Sequence, residues 1–271
     1  MRTAWILAPA ALAVGLAALA ADPDKPKADD KAPPAKAAPV NLVPNGDFEA
    51  GDGTPTGWQT VDGLTSYWVK DSDPKHGKVI KFDSDVYQQE GYDWWVKIAQ
   101  GKATAKDAPK KTPTVGDKYD TIAGNDGVWF WSDPIPVEKG NAYWLTIDAK
   151  GPGMMAWLFG YPDKPKTDFG ADEGAFQEYL TAKVSGKPKD VSRGHESFIH
   201  NYVWKGQLST LGGSDEWKTY SREKMPFRPT AHTPNVKYVR VMILPTWPPG
   251  VYYIDNVKLT EVEDKGDEAK P

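Results

Sequence analysis

The chain has 271 residues, with 33 basic and 37 acidic side chains, a formal net charge of −4 and no cysteine. The absence of cysteine excludes disulfides, cysteine–zinc sites, thiol catalysis and a lipid anchor on cysteine. The mildly acidic balance lacks the basic footprint of nucleic-acid-binding proteins, so we expect no nucleic-acid partner.

Residues 1–20 have the pattern of a secretory signal peptide. Arg2 precedes an apolar run over 4–19, and the run ends in small residues. The run is rich in alanine, contains Pro9 and is followed at once by Asp22, which is weak for a span of about 20 apolar residues. We therefore expect a secreted, periplasmic or cell-surface protein that no longer spans a membrane after cleavage.

The next 20 residues, 21–40, consist almost entirely of Ala, Asp, Lys and Pro. Such a segment has no apolar side chains to bury, so it predicts a disordered, proline-stiffened linker. Residues 263–271 form a charged tail at the other end of the chain. One domain, residues 41–262, lies between the linker and the tail.

Within this domain, short apolar and aromatic runs alternate with Gly, Pro and Asp. We predict strands at Trp68–Val69, Lys78–Phe82, Val128–Trp131, Tyr143–Ile147, Met154–Phe159, Trp217–Tyr220, Tyr238–Leu244 and Val251–Leu259. Helical periodicity is weak apart from a short stretch at 171–180. The pattern predicts an all-β fold, a β-sandwich of the jelly-roll kind with two long loop insertions at 87–127 and 161–214. The lysine-rich part of the first insertion, 101–120, is predicted to be disordered.

Alternation along two of the predicted strands assigns side chains to faces. In the strand near the C-terminus, three aliphatic residues share the side that we assign to the core: Val239, Val241 and Ile243. Arg240 lies on the opposite side. In the third strand Trp129 and Trp131 share one face, while Val128 and Phe130 share the other. Since smaller side chains fit a core better, we assign the tryptophans to the outside.

Three motifs carry a resemblance to a known family. They are NLVPNGDFE at 41–49 with GW at 57–58, WSDPIPV at 131–137 with KGNAY at 139–143, and YYIDNVKL at 252–259. In this order they resemble the carbohydrate-binding modules of families 4 and 9, which are galactose-binding-domain-like jelly rolls. The resemblance covers the domain apart from its two insertions. It implies two antiparallel sheets and a sugar ligand.

The resemblance also implies a structural calcium ion, held by Glu49 of the opening motif and Asp255 of the closing one. Calcium prefers several carboxylate and carbonyl oxygens. Because Ile254 is out of phase with the later residues of its strand, we expect a bulge near Asp255. The alternative is that Glu49 and Asp255 are turn residues that accept backbone hydrogen bonds.

Tryptophan is the informative residue, with 12 in the chain, of which Trp5 lies in the signal segment. This is more than a sandwich core needs, and flat rings are what a sugar-binding protein stacks on pyranose rings. Seven are candidates to line a ligand groove: Trp94, Trp95, Trp129, Trp131, Trp157, Trp204 and Trp247. Four others are expected in the core or at its rim: Trp58, Trp68, Trp144 and Trp217. The prediction is a monomeric, non-catalytic protein that binds a polysaccharide or oligosaccharide.

Two other functional classes stay open. One is a jelly-roll polysaccharide lyase or glycoside hydrolase, which needs a general acid and base and, for hydrolysis, two facing carboxylates. The available pairs are Asp83 with Asp85, Asp172 with Glu173, Asp215 with Glu216, and Tyr202 with His195 or His200. The other class is a structural or adhesion module of the cell envelope. Serine hydrolase and phosphate-loop signatures are missing.

Overall fold

The computed structural model describes residues 39–110, 118–124, 127–165, 202–222 and 225–262. The predicted signal peptide, nearly all of the linker, the charged tail, the helix at 171–180 and the side chains of Asp172, Glu173, His195 and His200 lie outside the described residues.

The described residues form an antiparallel all-β sandwich, which confirms the predicted fold class. The strands in chain order are β1 (Ser66–Lys70), β2 (Lys78–Asp83), β3 (Phe130–Trp131), β4 (Ile135–Pro136), β5 (Ala142–Gly151), β6 (Met154–Tyr161), β7 (Trp204–Leu211), β8 (Ser214–Ser221), β9 (Tyr238–Pro245) and β10 (Val251–Val262). The first sheet has the order β1-β2-β10-β5-β8. The second has the order β3-β9-β6-β7, with β4 paired to β9.

The core lies between the two sheets. From the second sheet, the aliphatic residues assigned to the core are all fully buried: Val239, Val241 and Ile243. From the first sheet, β10 contributes buried Ile254, Val257 and Leu259 to the same cluster. Phe130 is fully buried and stacks on Trp58, with ring centroids 5.6 Å apart. Burying this apolar surface supplies the main favourable free energy of folding.

All eight predicted strands coincide with observed ones, but the structure corrects both predicted insertions. The second insertion, 161–214, contains β7, which is a full member of the second sheet. The first contains α1 (Gln88–Ala99), a helix that the sequence analysis missed. Part of the lysine-rich stretch is also ordered, with a 3₁₀ turn at Ala105–Asp107.

The helix α1 is hard to predict because its local signals are poor. It has Gly91 in its first turns and no side-chain hydrogen bond at its N-cap residue, Tyr87. Tertiary contacts hold it instead. Trp94 donates its indole N–H to the Asp62 carbonyl at 2.8 Å, and Trp95 donates to the Asp62 carboxylate at 2.6 Å. At 12 residues, α1 is too short to cross a bilayer, and no other described helix is long and apolar enough to do so.

Candidate functional site

The outward-facing side of the second sheet carries a cluster of aromatic and apolar side chains that is separate from the core. We call this cluster the aromatic face: Trp129, Trp131, Trp157, Phe159, Tyr161, Tyr202, Tyr238, Met242 and Leu244. The outer side of an antiparallel sandwich is normally polar, because it meets water. Four of its nine members are buried and the other five are half-buried, so only part of the cluster is open to a ligand.

Strand register explains why these residues meet. Trp131 on β3 lies opposite Met242 on β9, and Met242 lies opposite Trp157 on β6. The same row continues to Gln207 on β7. Since neighbouring strands lie about 4.8 Å apart, Trp131 and Trp157 are separated by roughly 10 Å. The row therefore places one half-buried indole, Trp157, and one buried indole, Trp131, on the same face.

Phe159 is the centre of the aromatic face. It lies two residues after Trp157, and so on the same side of β6. Its ring centroid is 5.2 Å from that of Trp131, 6.1 Å from that of Trp157 and 4.8 Å from that of Tyr202. Trp131 and Phe159 are buried, with 4% and 5% of their surface exposed, and form the floor. Trp157 and Tyr202 are half-buried and form the rim.

Arg240 is held rigidly on this face. It pairs with Phe159 across the β9–β6 ladder, and its guanidinium lies 5.0 Å from the Trp131 ring centroid. Its Nε donates to the Ser132 carbonyl at 2.7 Å. Burial lowers the pKa of Arg240, while electrostatic interactions with Tyr161 and Asp133 raise it. A guanidinium stays protonated in proteins, so the face carries a fixed positive charge.

Two further donors lie on the aromatic face. Lys205 on β7 lies opposite Phe159 on β6. Its ammonium lies 5.4 Å from the Trp157 ring and 5.8 Å from the Tyr202 ring. The indole N–H of Trp157 is buried and has no hydrogen-bond partner among the described residues. An unsatisfied buried donor is costly.

The structure brings together three of the seven predicted ligand-binding tryptophans, Trp129, Trp131 and Trp157. The alternation argument for β3 is confirmed, since Val128 and Phe130 belong to the main core.

The other four predicted tryptophans lie elsewhere. Trp94 is buried in the main core, and Trp95 packs against that core from α1. Trp204 packs edge-on against Phe227, at 6.1 Å between centroids. Trp247 is 45% exposed and stacks on Tyr119 at 4.9 Å. None of these four belongs to the aromatic face.

Several residues of the site were not predicted as ligand-binding residues: Phe159, Tyr161, Lys205, Arg240 and Met242. The sequence does contain a signal for Phe159 and Tyr161. Residues 157, 159 and 161 are all aromatic, and every second side chain of a strand lies on the same face. The position of Lys205 had no such signal, since β7 was assigned to a loop.

Asp255, the first predicted calcium ligand, has other partners. Its Oδ2 lies 2.8 Å from His76 Nδ1, and its Oδ1 accepts the backbone N–H of Asn256 at 2.7 Å. The expected β-bulge is present here, between Asp255 and Lys258, with Asn256 at φ 49°. Burial raises the pKa of Asp255 to about 6, and the hydrogen bond from His76 offsets part of the rise.

Glu49, the second predicted ligand, accepts the backbone N–H of Lys78 at 2.7 Å and packs against Gly77. A Cβ on Gly77 would lie 2.0 Å from Glu49 Oε1, so no other residue fits there without a shift. Within the described ranges, no three His, Asp or Glu side chains form a metal-binding group. Calcium needs several free oxygens, and an imidazole already bonds Asp255, so these contacts do not fit a calcium site made by Glu49 and Asp255.

The carboxylate pairs considered for catalysis lie away from the aromatic face, as far as the structure describes them. Asp83 ends β2, with Asp85 just after it, and Asp215 and Glu216 lie on β8. Both strands belong to the first sheet. Tyr202 belongs to the aromatic face.

Comparisons with known proteins find distant similarity to solved structures. No protein-family model and no curated protein matches the chain. Similar solved structures include the enzymatically active domain of bacteriophage CBA120 tailspike protein 4, which is 11% identical with a TM-score of 0.44 over 82% of this chain and 22% of that one. TmCBM61 in complex with β-1,4-galactotriose is 12% identical with a TM-score of 0.38, over 82% and 99%. A CBM4 structure is 12% identical with a TM-score of 0.35, over 81% and 99%.

The chain thus spans 22% of the tailspike domain that it resembles. At these TM-scores the structural similarities carry no information on function. The function is therefore inferred from the geometry of the site.

Proposed function

We propose that this chain is a non-catalytic carbohydrate-binding protein that holds a polysaccharide or oligosaccharide on its aromatic face. We place it with the carbohydrate-binding modules of families 4 and 9 on its three motifs. The single observation that supports binding is the row formed by Trp131, Met242 and Trp157 on the outer side of the second sheet.

The chemistry of the face suits a sugar. A pyranose ring has an apolar C–H surface that packs on an indole, and equatorial hydroxyls that need hydrogen-bond partners. Trp129 and Trp157, which are half-buried, supply the flat surfaces, and the buried Phe159 packs against Trp157 and Trp131. Gln207, at the end of the same row, and Arg240 supply polar groups. The half-buried rim leaves ring surface for a ligand to cover.

Binding without catalysis is favoured by the residues around the rings. A glycoside hydrolase needs two carboxylates on either side of the bond that it cleaves. Among the residues that the structure describes, Asp133 is the acidic group whose charge acts on Arg240, and the pairs Asp83–Asp85 and Asp215–Glu216 belong to the other sheet. We also propose export to the periplasm, cell surface or medium, and a monomeric state, both from the sequence.

The test is a glycan-array screen of the full chain, followed by calorimetry on each glycan retained. We expect Trp157→Ala to lower the affinity by about tenfold, which corresponds to about 1.4 kcal/mol. Trp247→Ala is the matched control, because Trp247 is exposed but lies outside the aromatic face. Retention of no glycan, or an equal loss in both variants, would contradict the proposal.

A further inference from the structure

We infer that the saccharide bound on the aromatic face is anionic, carrying carboxylate or sulfate groups. This inference rests on the proposed function and adds the class of ligand to it. It follows from a surplus of hydrogen-bond donors and positive charge on the face.

Arg240 is the first donor. Its Nε is satisfied by Ser132, but no described residue accepts a hydrogen bond from its two terminal Nη groups. Only 5% of its surface is exposed, so its charge is largely removed from bulk water. A desolvated charge without a partner is unfavourable, and a planar guanidinium matches the two oxygens of a carboxylate or sulfate.

Lys205 is the second donor, and it lies across Phe159 from Arg240 in the same row. Its ammonium lies over Trp157 and Tyr202. The ion pairs of the described residues join His76 to Asp255, Lys150 to Asp71 and Lys237 to Asp163. Neither Lys205 nor Arg240 forms an ion pair with a described carboxylate.

The indole N–H of Trp157 has no partner among the described residues, but it is buried, so it is not counted among the donors open to a ligand. The acidic groups nearest to the face do not balance these donors. Asp133 raises the pKa of Arg240 through its charge but forms no ion pair with it, and Asp163 is 90% exposed and lies 3.9 Å from Lys237. A ligand that fills this face has to supply acceptors, and anionic groups are the strongest acceptors a sugar carries.

The experiment compares acidic and neutral forms of one backbone by calorimetry on the full chain. One arm uses oligogalacturonate and its fully methyl-esterified form, which tests carboxylates. The other uses sulfated and desulfated oligosaccharides of one galactan, which tests sulfates. We expect the acidic member of at least one pair to bind about tenfold more tightly, and its affinity to fall between about 50 mM and about 500 mM NaCl because salt screens charge.

Substitutions on the aromatic face test whether the difference in affinity between acidic and neutral oligosaccharides arises there. Lys205→Gln and Arg240→Lys should each lower the affinity for the acidic oligosaccharide by about threefold to tenfold, and by more than they lower the affinity for the neutral one. Lys205 is exposed, so its substitution should not impair folding. Lys218→Gln is the matched control, since Lys218 is an exposed lysine on β8 of the other sheet.

Two results would overturn the inference. If neutral glycans bind on the aromatic face as tightly as acidic ones and Lys205→Gln changes nothing, the ligand is neutral while the proposed function stands. If no glycan of either kind binds, the proposed function fails and the inference fails with it.

Discussion

Trp131 and Trp157 lie on one row of the second sheet, with Met242 between them on β9. The two indoles sit on different strands, so their spacing is set by the hydrogen-bonded ladder. That ladder rests on the core side chains of β9, which are fully buried. The binding geometry is thus fixed by the fold before a ligand arrives, and ordering these rings adds little entropic cost to binding.

The spacing predicts how affinity depends on ligand length. A monosaccharide covers the half-buried ring of Trp157, whereas a trisaccharide also extends towards β3, which lies roughly 10 Å from β6. We expect Trp131→Ala and Trp157→Ala each to lower the affinity for the trisaccharide by about tenfold, measured by calorimetry. Trp144→Ala is the control, because Trp144 is 41% exposed on β5 of the first sheet. If neither Trp131→Ala nor Trp157→Ala changes the affinity for the trisaccharide, the two residues do not contribute to one binding site.

The two sides of β3 should differ in their effect on stability. Phe130 is fully buried and contacts Trp58 and Phe82, so we expect Phe130→Ala to lower the free energy of unfolding by about 3–5 kcal/mol. Trp129 is half-buried at the aromatic face, and Trp129→Ala should cost clearly less. Urea denaturation of both variants measures the difference. An equal loss would mean that both sides of β3 belong to the core.

The buried carboxyl of Asp255 should make stability depend on pH. Because burial raises its pKa to about 6, the folded chain holds the proton more tightly than the unfolded chain. The contribution of Asp255 to stability is therefore present at acidic pH and is lost as the pH rises through about 6.

Asp255→Asn removes this titration. We expect the stability of the natural chain, relative to the variant, to fall between about pH 4 and pH 6 and to level off above. Urea midpoints for both proteins across this range provide the measurement. A relative stability that rises with pH would show that the ionised carboxylate, bonded to His76, is the favoured form.

Calcium should have no effect on stability. His76 and Asn256 already bond the carboxylate of Asp255, and the Lys78 N–H bonds that of Glu49. We expect the same melting temperature in calcium and in chelator, for the natural chain and for Glu49→Gln. A melting temperature that rises with calcium, and no longer does so in Glu49→Gln, would restore the metal site implied by the family resemblance.

Local sequence signals sufficed for the strands and for some of the faces. In β9, three aliphatic residues alternate with Arg240 and Met242, and a period of two assigns each side directly. In β10, the phase slip after Ile254 predicted the observed bulge. Both inferences depend on neighbours along the chain, and the structure confirms them.

Which tryptophans come together could not be read from local patterns. Trp94 and Trp131 each lie beside an aromatic residue and within two positions of an aspartate, yet one fills the core and the other lies on the aromatic face. The difference depends on strand order and on the docking of α1 against Asp62, which are long-range contacts. Lys205 was missed for the same reason. Its strand, β7, has a weak alternating pattern and belongs to the sheet through its pairing with β6.

The most direct test of binding on the aromatic face is a titration that follows the indole N–H signals in a ¹H–¹⁵N NMR spectrum. Each signal is assigned with a single tryptophan-to-phenylalanine variant. The account predicts that a retained glycan shifts the signals of Trp129, Trp131 and Trp157, with the largest change at Trp157, whose ring is half-buried at the rim. The signals of Trp144 and Trp247 should stay in place. A glycan that shifts these two and leaves Trp157 unchanged would contradict the account.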